Sequence, residues 1–344
     1  MKEKKIQTVC GPIDPEALGI TLMHEHLLWD ITNWWRGEPQ EMSQKKYVYE
    51  PVTLQNRGWI TWHLQKNKDN MIQNDIEVAI EEVNLYQRAG GCSLVDATLE
   101  DIGRDPKALR AISKETGLNI VMGSGYYVES THPAYLKGMS KEDIAQRIID
   151  EFTNGVGFDQ IKPGIIGEIG ISSIDNEEEF KSLRGAAIAQ RETGAALTIH
   201  PPLFEESYHK IIDAVEEEGA DLSKVILSHC DSTLENMDFH YSLAERGVTV
   251  EYDLFGLECL AGEEIFLPHD LQRIRSVKSM IEHGYGDRVT VSHDTAYKIN
   301  LVRYGGYGYG HICNNIVPVM LREGISADDI RKILIDNPKR LLAF

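Results

Sequence analysis

The residues best suited to chemistry stand in Ile20-Thr-Leu-Met-His-Glu-His-Leu27, where two histidines lie two positions apart at the end of a short apolar run. In an extended chain such residues leave on the same face, so His24 and His26 form a two-toothed ligand while Glu25 points the other way. Imidazoles presented like this suit Zn²⁺ or a similar divalent ion, but two ligands do not hold a metal alone. In isolation the pair would read as two ordinary histidines beside a turn. Three further runs change that weighing: Leu197-Thr-Ile-His200 and Val225-Ile-Leu-Ser-His229 end in histidine, and Val289-Thr-Val-Ser-His-Asp294 ends in His-Asp. Gly164-Ile-Ile-Gly-Glu168 ends in a carboxylate. His24, His26, Glu168, His200, His229 and Asp294 are thus candidate ligands placed at the ends of separate strand-like runs, the pattern of one metal site assembled from distant parts of a chain.

The elements that must position them follow a regular alternation. Apolar runs predict strands from residue 20, over 92–97, 119–123, 164–170, 195–200, 224–229 and 247–252, and over 288–293. Three- and four-residue spacing predicts helices over 71–89, 105–116 and 140–152, the last capped by Ser140. The series continues with helices over 176–193, 208–218, 234–245 and 270–283, and a final one over 326–335 that Asn337-Pro338 should end. Eight strand-then-helix units without a second composition zone predict one (β/α)₈ TIM barrel domain spanning 1–344, with a long insertion after strand 1. On that fold the functional face is the one at the carboxyl ends of the strands, where all six candidates fall.

The insertion, residues 27–70, is too long for a common βα connection and holds all five tryptophans: Trp29, Trp34, Trp35, Trp59 and Trp62. Its place above the strand ends predicts a wall or lid over a pocket, with a subunit contact as the equal alternative.

Composition narrows the partners. Lys and Arg number 35 against 54 Asp and Glu, a net charge of −19 that argues against a nucleic-acid or anionic-membrane surface. No run reaches the roughly 18 apolar residues of a membrane span, and the N-terminus lacks the apolar stretch of a secretory signal. Five cysteines without CxxC spacing fit reduced thiols, hence a cytoplasmic setting; Cys92 and Cys230, beside apolar strands, are expected to be buried and inert. Gly123-Ser-Gly125 and Gly305-Gly-Tyr-Gly-Tyr-Gly310 lack the strand and helix context of phosphate loops, and no G-x-S-x-G elbow is present.

Taken together, Gly19-Ile-Thr-Leu-Met-His-Glu-His26, Ile102-Gly-Arg-Asp105, Gly164-Ile-Ile-Gly-Glu-Ile-Gly170, His200, Ser228-His229, Ser292-His-Asp294 and Tyr304-Gly-Gly-Tyr-Gly-Tyr-Gly-His311 resemble the phosphotriesterase family of the amidohydrolase superfamily. Glu251-Tyr-Asp-Leu-Phe-Gly-Leu-Glu258 is similar to the branch called phosphotriesterase-related proteins. The resemblance implies two divalent ions, zinc foremost with manganese, cobalt or iron as alternatives. One would be held by His24, His26 and Asp294, the other by His200 and His229, with a carboxylate bridging them. The best-known members use a carboxylated lysine there. This chain has Gly167 at that position and Glu168 one residue later, and a one-residue shift in a strand reverses the face. Glu168 can therefore bridge only if the backbone bulges locally.

The chemistry so implied is metal-assisted hydrolysis by a bridging hydroxide, most readily of a small carboxylic ester, lactone or amide. Asp294 would move the proton, through His229 or His293, and Tyr127 would stand beside the metals. A phosphotriesterase is the alternative, and a non-catalytic metal-containing ligand-binding barrel a third reading. Leu254 stands where acyl-homoserine lactonases usually carry arginine, which argues against that substrate; Lys298 and Arg303 follow the last strand and could hold an anionic group, with plain solvation as the alternative. The expected partners are a small-molecule substrate and a second copy of the chain in a homodimer.

Overall fold

The computed structural model describes residues 4–261 and 265–344. Its centre is an eight-stranded sheet in which every neighbouring pair is parallel and strand order follows chain order. The strands are β1 (Thr21–Glu25), β2 (Ser93–Asp96), β3 (Asn119–Ser124), β4 (Ile165–Gly170), β5 (Ala196–His200), β6 (Val225–Leu227), β7 (Thr249–Tyr252) and β8 (Val289–Val291). The ring closes between β8 and β1, where the Asp294 amide donates to the His24 carbonyl at 3.2 Å and the His24 amide donates to Ser292 Oγ at 3.1 Å. It is the predicted TIM barrel, each strand appearing within a few residues of its apolar run.

Most of the helices between the strands begin where the sequence supplies a cap. Asp75 accepts from the amides of Glu77 and Val78 at the start of α1 (Ile76–Arg88), and Asp105 accepts from Ala108 at the start of α2 (Pro106–Thr116). Ser140 and Asp143 cap α3 (Lys141–Asn154) reciprocally, and Asn176 caps α4 (Glu177–Thr193). The remaining barrel helices are α5 (Tyr208–Glu217), α6 (Met237–Glu245) and α7 (Asp270–Glu282).

Two helix boundaries differ from expectation. The first helix does not reach back to residue 71, because Asp75 takes the capping position and Ile72–Gln73 pairs antiparallel with Trp29–Asp30. At the carboxyl end, Asn337-Pro338 does not stop the helix. After Ala327–Arg331 the chain widens into one looser turn, Lys332–Asp336, and then continues as Asn337–Leu342. Pro338 falls in the first turn of that last segment, where a missing amide costs little. Asn337 gains a role there, since its Nδ2 donates to the carbonyls of Gly286 and Val289 and ties the segment to the foot of β8.

Inside the barrel, Met23, Val95, Val121, Ile165, Ala196 and Ile226 pack with Ile6, Leu18 and Leu341 as an apolar plug at the amino-terminal end. Burial there fixes the strands against each other and leaves the opposite end for polar groups. The tryptophans of the insertion serve separate purposes. Trp29 is 2% exposed and belongs to the core, Trp59 stacks on Tyr47 and His63, and Trp62 is 55% exposed with its face met edge-on by Phe266. Only Trp34 of the five lines the cavity at the carboxyl ends of the strands. The concentration of indoles is thus no continuous wall.

Candidate metal centre

All six candidate ligands meet at the carboxyl ends of the strands. His26 Nε2 lies 3.4 Å from Glu168 Oε1 and 3.1 Å from Asp294 Oδ1. His24 Nε2 lies 3.4 Å from Glu168 Oε2 and 3.8 Å from Asp294 Oδ1. The same oxygen, Glu168 Oε2, is also 3.2 Å from His200 Nδ1 and 3.4 Å from His229 Nε2. The carboxylate of Glu168 thus stands between two groups of ring nitrogens.

Placing these side chains requires local departures from regular strand geometry. Between the pairs Ile166↔Leu197 and Ile169↔Ile199, β4 sets two residues, Gly167 and Glu168, against Thr198 alone. This is the bulge that a carboxylate one residue out of phase needs. Gly167 has φ +104°, and a Cβ there would lie 2.1 Å from the Thr198 carbonyl oxygen, so glycine is the residue that fits. A similar slip in β1, between Leu22↔Leu94 and Glu25↔Asp96, surrounds His24. His229 and Asp294 adopt left-handed φ values of 54° and 48°. Such conformations in non-glycine residues cluster where geometry is dictated by a site.

The outer ring nitrogens are held from behind. His26 Nδ1 pairs with Thr98 Oγ1 at 2.9 Å, His229 Nδ1 with Asp253 Oδ1 at 2.9 Å, and His24 Nδ1 faces Ser228 Oγ at 3.2 Å and Asp253 Oδ2 at 3.3 Å. A partner on one ring nitrogen fixes the tautomer and turns the other toward the centre, the arrangement typical of metal-ligating histidine. Sequence reasoning missed Asp253, which also accepts the His229 amide. The signal was there, since Asp253 follows β7 directly in Glu251-Tyr-Asp253, at the same face as the ligands.

The charge pattern asks for a cation. Burial would raise the Glu168 carboxyl, but His24, His200 and His229 around it hold it well below its ordinary range. Burial would likewise depress His24 and His26, yet the facing carboxylates win, lifting His24 well above its ordinary value and His26 to about 9. His200, buried beside His229, is instead pushed down. Meanwhile His24 Nε2 is buried without a hydrogen-bond partner among the described residues, and His200 Nδ1 and His229 Nε2 face each other at 2.7 Å. Ring nitrogens that converge on one buried carboxylate suit a divalent metal, which binds the deprotonated ring. His24, His26 and Glu168 form one group that could hold an ion, and Glu168, His200 and His229 another.

The centre opens into a cavity of about 360 Å³ lined by both apolar side chains and the candidate ligands. Tyr127 lies at its wall with its hydroxyl 3.3 Å from His200 Nδ1, and burial keeps its phenol protonated. His293 does not open onto this cavity. Its Nδ1 is 2.7 Å from Glu25 Oε1 and its Nε2 accepts the Ile312 amide, so the ring is sealed behind the centre and the relay through His293 fails. The expected anion holders fail too: Lys298 pairs with Asp69 at 2.6 Å and Arg303 with Glu81 at 2.7 Å, and neither lines the cavity. Of the two thiols expected to be buried, Cys230 is, whereas Cys92 is exposed at the start of β2.

Comparison with known proteins places this geometry in context. The profile of the Phosphotriesterase family matches residues 4–342. The N-acetyltaurine hydrolase of Xenopus tropicalis is 40% identical, with 99% of this chain and 98% of that one covered. The phosphotriesterase-related protein of Nematostella vectensis is 39% identical, with 98% of each chain covered. Among solved structures, a resiniferatoxin-binding protein from Rhodobacter sphaeroides superposes with a TM-score of 0.96 at 39% identity, over 98% of this chain and 94% of that one.

Proposed function

The chain belongs to the phosphotriesterase family, and from that premise we propose that it is a two-metal amide hydrolase whose substrate is N-acetyltaurine or a close N-acyl relative. The observation that carries the reading is the meeting of six ligand-type side chains around Glu168, five of which line one cavity, in a chain similar over its length to proteins named for that hydrolysis. His24, His26 and Asp294 would hold one ion and His200 and His229 the other, with Glu168 between them and zinc the ion we favour. When bound, such a pair supplies Lewis acidity and a water acidic enough to act near neutral pH.

The chain's own residues do the rest. Asp294 lines the cavity and takes the proton from the attacking water, then delivers it to the departing nitrogen as the acyl C–N bond breaks. A carboxylic acid and a free amine are the products. Tyr127, protonated and at the wall, is the donor we assign to the acyl oxygen. Asp253 and Thr98 hold His229 and His26 in orientation throughout. We also propose a homodimer in a cytoplasmic setting; the five cysteines are unpaired, and no helix among the described residues is long and apolar enough to cross a membrane.

The decisive experiment measures metal content and steady-state turnover on N-acetyltaurine, a lactone, a carboxylic ester and a phosphotriester. Turnover of the amide above the others supports the proposal, and a phosphotriester preferred by orders of magnitude refutes it. A second reading, a ligand-binding barrel without turnover, draws on the relative named for binding resiniferatoxin. Metal-loaded protein that binds an acyl amide and hydrolyses none of the panel would establish it instead.

A further inference from the structure

The cavity has one cationic side chain. Of the residues that line it, Arg36 is the single Lys or Arg, whereas Glu168 and Asp294 lie among the candidate ligands. Arg36 comes from the insertion, two residues after Trp34. Its backbone amide donates to the Gln65 carbonyl at 3.0 Å, which fixes the segment, and its Nε reaches Gln65 Oε1 at 3.3 Å. Gln65 in turn donates to the Tyr297 hydroxyl at 3.4 Å, so Arg36, Gln65 and Tyr297 form a polar strip down one wall.

What distinguishes Arg36 is that no acidic side chain among the described residues neutralises it. No carboxylate pairs with it among the described residues, while the other loop cations near the site, Lys298 and Arg303, are engaged by Asp69 and Glu81. In a chain with 54 acidic residues against 35 Lys and Arg, a cation left without an acidic partner at a cavity mouth is out of keeping with the surface around it. Its charge is felt inside. Tyr297 is raised chiefly by burial, and Arg36 is among the groups that oppose the rise. The net charge of −19 would repel an anionic ligand from this protein, and a guanidinium fork at the entrance reverses the local field and offers paired donors to a sulfonate or carboxylate.

We propose that Arg36 is the specificity-determining residue of this cavity. It binds the anionic end of the substrate while the scissile acyl group reaches the metal centre, so the preferred class is amides whose amine part ends in a sulfonate or carboxylate. The inference rests on the hydrolase reading above and extends it from the reaction to the half of the substrate that does not react. Arg36 acts on binding and takes no part in proton movement. Its effect therefore falls on KM more than on kcat.

The test compares metal-loaded wild type, Arg36→Ala and Arg36→Lys on N-acetyltaurine, N-acetyl-β-alanine and the neutral N-(2-methoxyethyl)acetamide. Arg36→Ala should lower the charged-to-neutral ratio of kcat/KM on the order of 10- to 50-fold, the size expected for losing a charge-assisted hydrogen bond, with Arg36→Lys recovering part of it. An unchanged ratio overturns the proposal. Calorimetric titration with ethanesulfonate separates this inference from the hydrolase reading. If wild type hydrolyses no amide but binds ethanesulfonate and Arg36→Ala does not, the reading of the reaction falls and the anion site stands. Equal binding by both proteins, or none by wild type, overturns the anion site.

Discussion

Gly167→Ala probes the feature on which the proposed metal centre most depends, the bulge that brings Glu168 into the barrel. Two penalties add. An L side chain at φ +104° costs roughly 1–3 kcal/mol. The new Cβ would sit 2.1 Å from the Thr198 carbonyl oxygen, and making room for a methyl group in a packed interior costs about 1–3 kcal/mol more. The neighbour is backbone and has no rotamer to change. With 344 residues at about 2.1 cal/mol/K each, the unfolding entropy is about 0.7 kcal/mol/K, so a loss of about 2–6 kcal/mol lowers Tm by about 3–8 °C. The strand can relieve the clash by abandoning the bulge, which turns Glu168 to the other face and separates the two groups of histidines. Scanning calorimetry should therefore be read beside metal content measured by mass spectrometry. Gly58→Ala is the control, since a Cβ there meets open space and its φ is not left-handed; it should be neutral or slightly stabilising. A Gly167→Ala protein with the metal content of wild type and a Tm within about 1 °C would refute the reasoning.

Three further outcomes follow from the geometry. Asp294→Asn should retain most of its metal, because Asn tolerates φ 48°, yet lose turnover by on the order of 100-fold or more as the proton acceptor disappears; wild-type kcat in the metal-loaded variant would remove Asp294 from that role. Reconstitution of metal-stripped protein should proceed equally with and without bicarbonate, since Glu168 needs no carbon dioxide to become a carboxylate, and a bicarbonate requirement would point to a modified lysine. His240, buried between Thr233 Oγ1 and the Tyr252 hydroxyl, is pushed down to about 4 by burial. Its folded value lies below the unfolded one of about 6.5, so the unfolded chain binds more protons between these limits and stability falls with falling pH in that window. From pH 7 to pH 5 this group removes about 2 kcal/mol, and denaturant titrations should show His240→Gln losing less stability than wild type over the same interval.

The sequence by itself determined the barrel and the list of candidate ligands, for a physical reason. Strand-ending histidines and carboxylates keep their places whatever the connecting helices do, because parallel strands in a barrel all point their carboxyl ends the same way. Caps such as Ser140 and Asn176 were likewise visible, since they act on amides two or three residues away. What depended on distant atoms was not visible. Whether Glu168 could face inward was decided by its register against Thr198, across a neighbouring strand. That Lys298 and Arg303 are paired with Asp69 and Glu81, while Arg36 has no acidic partner among the described residues, was decided by the fold, which brings those carboxylates in from far along the chain. His293 reads in sequence as a neighbour of the candidate acid-base residue Asp294, yet the two side chains go to opposite sides, one to the cavity and one to Glu25. Local pattern names the groups that can do chemistry, and only packing decides which of them face one another.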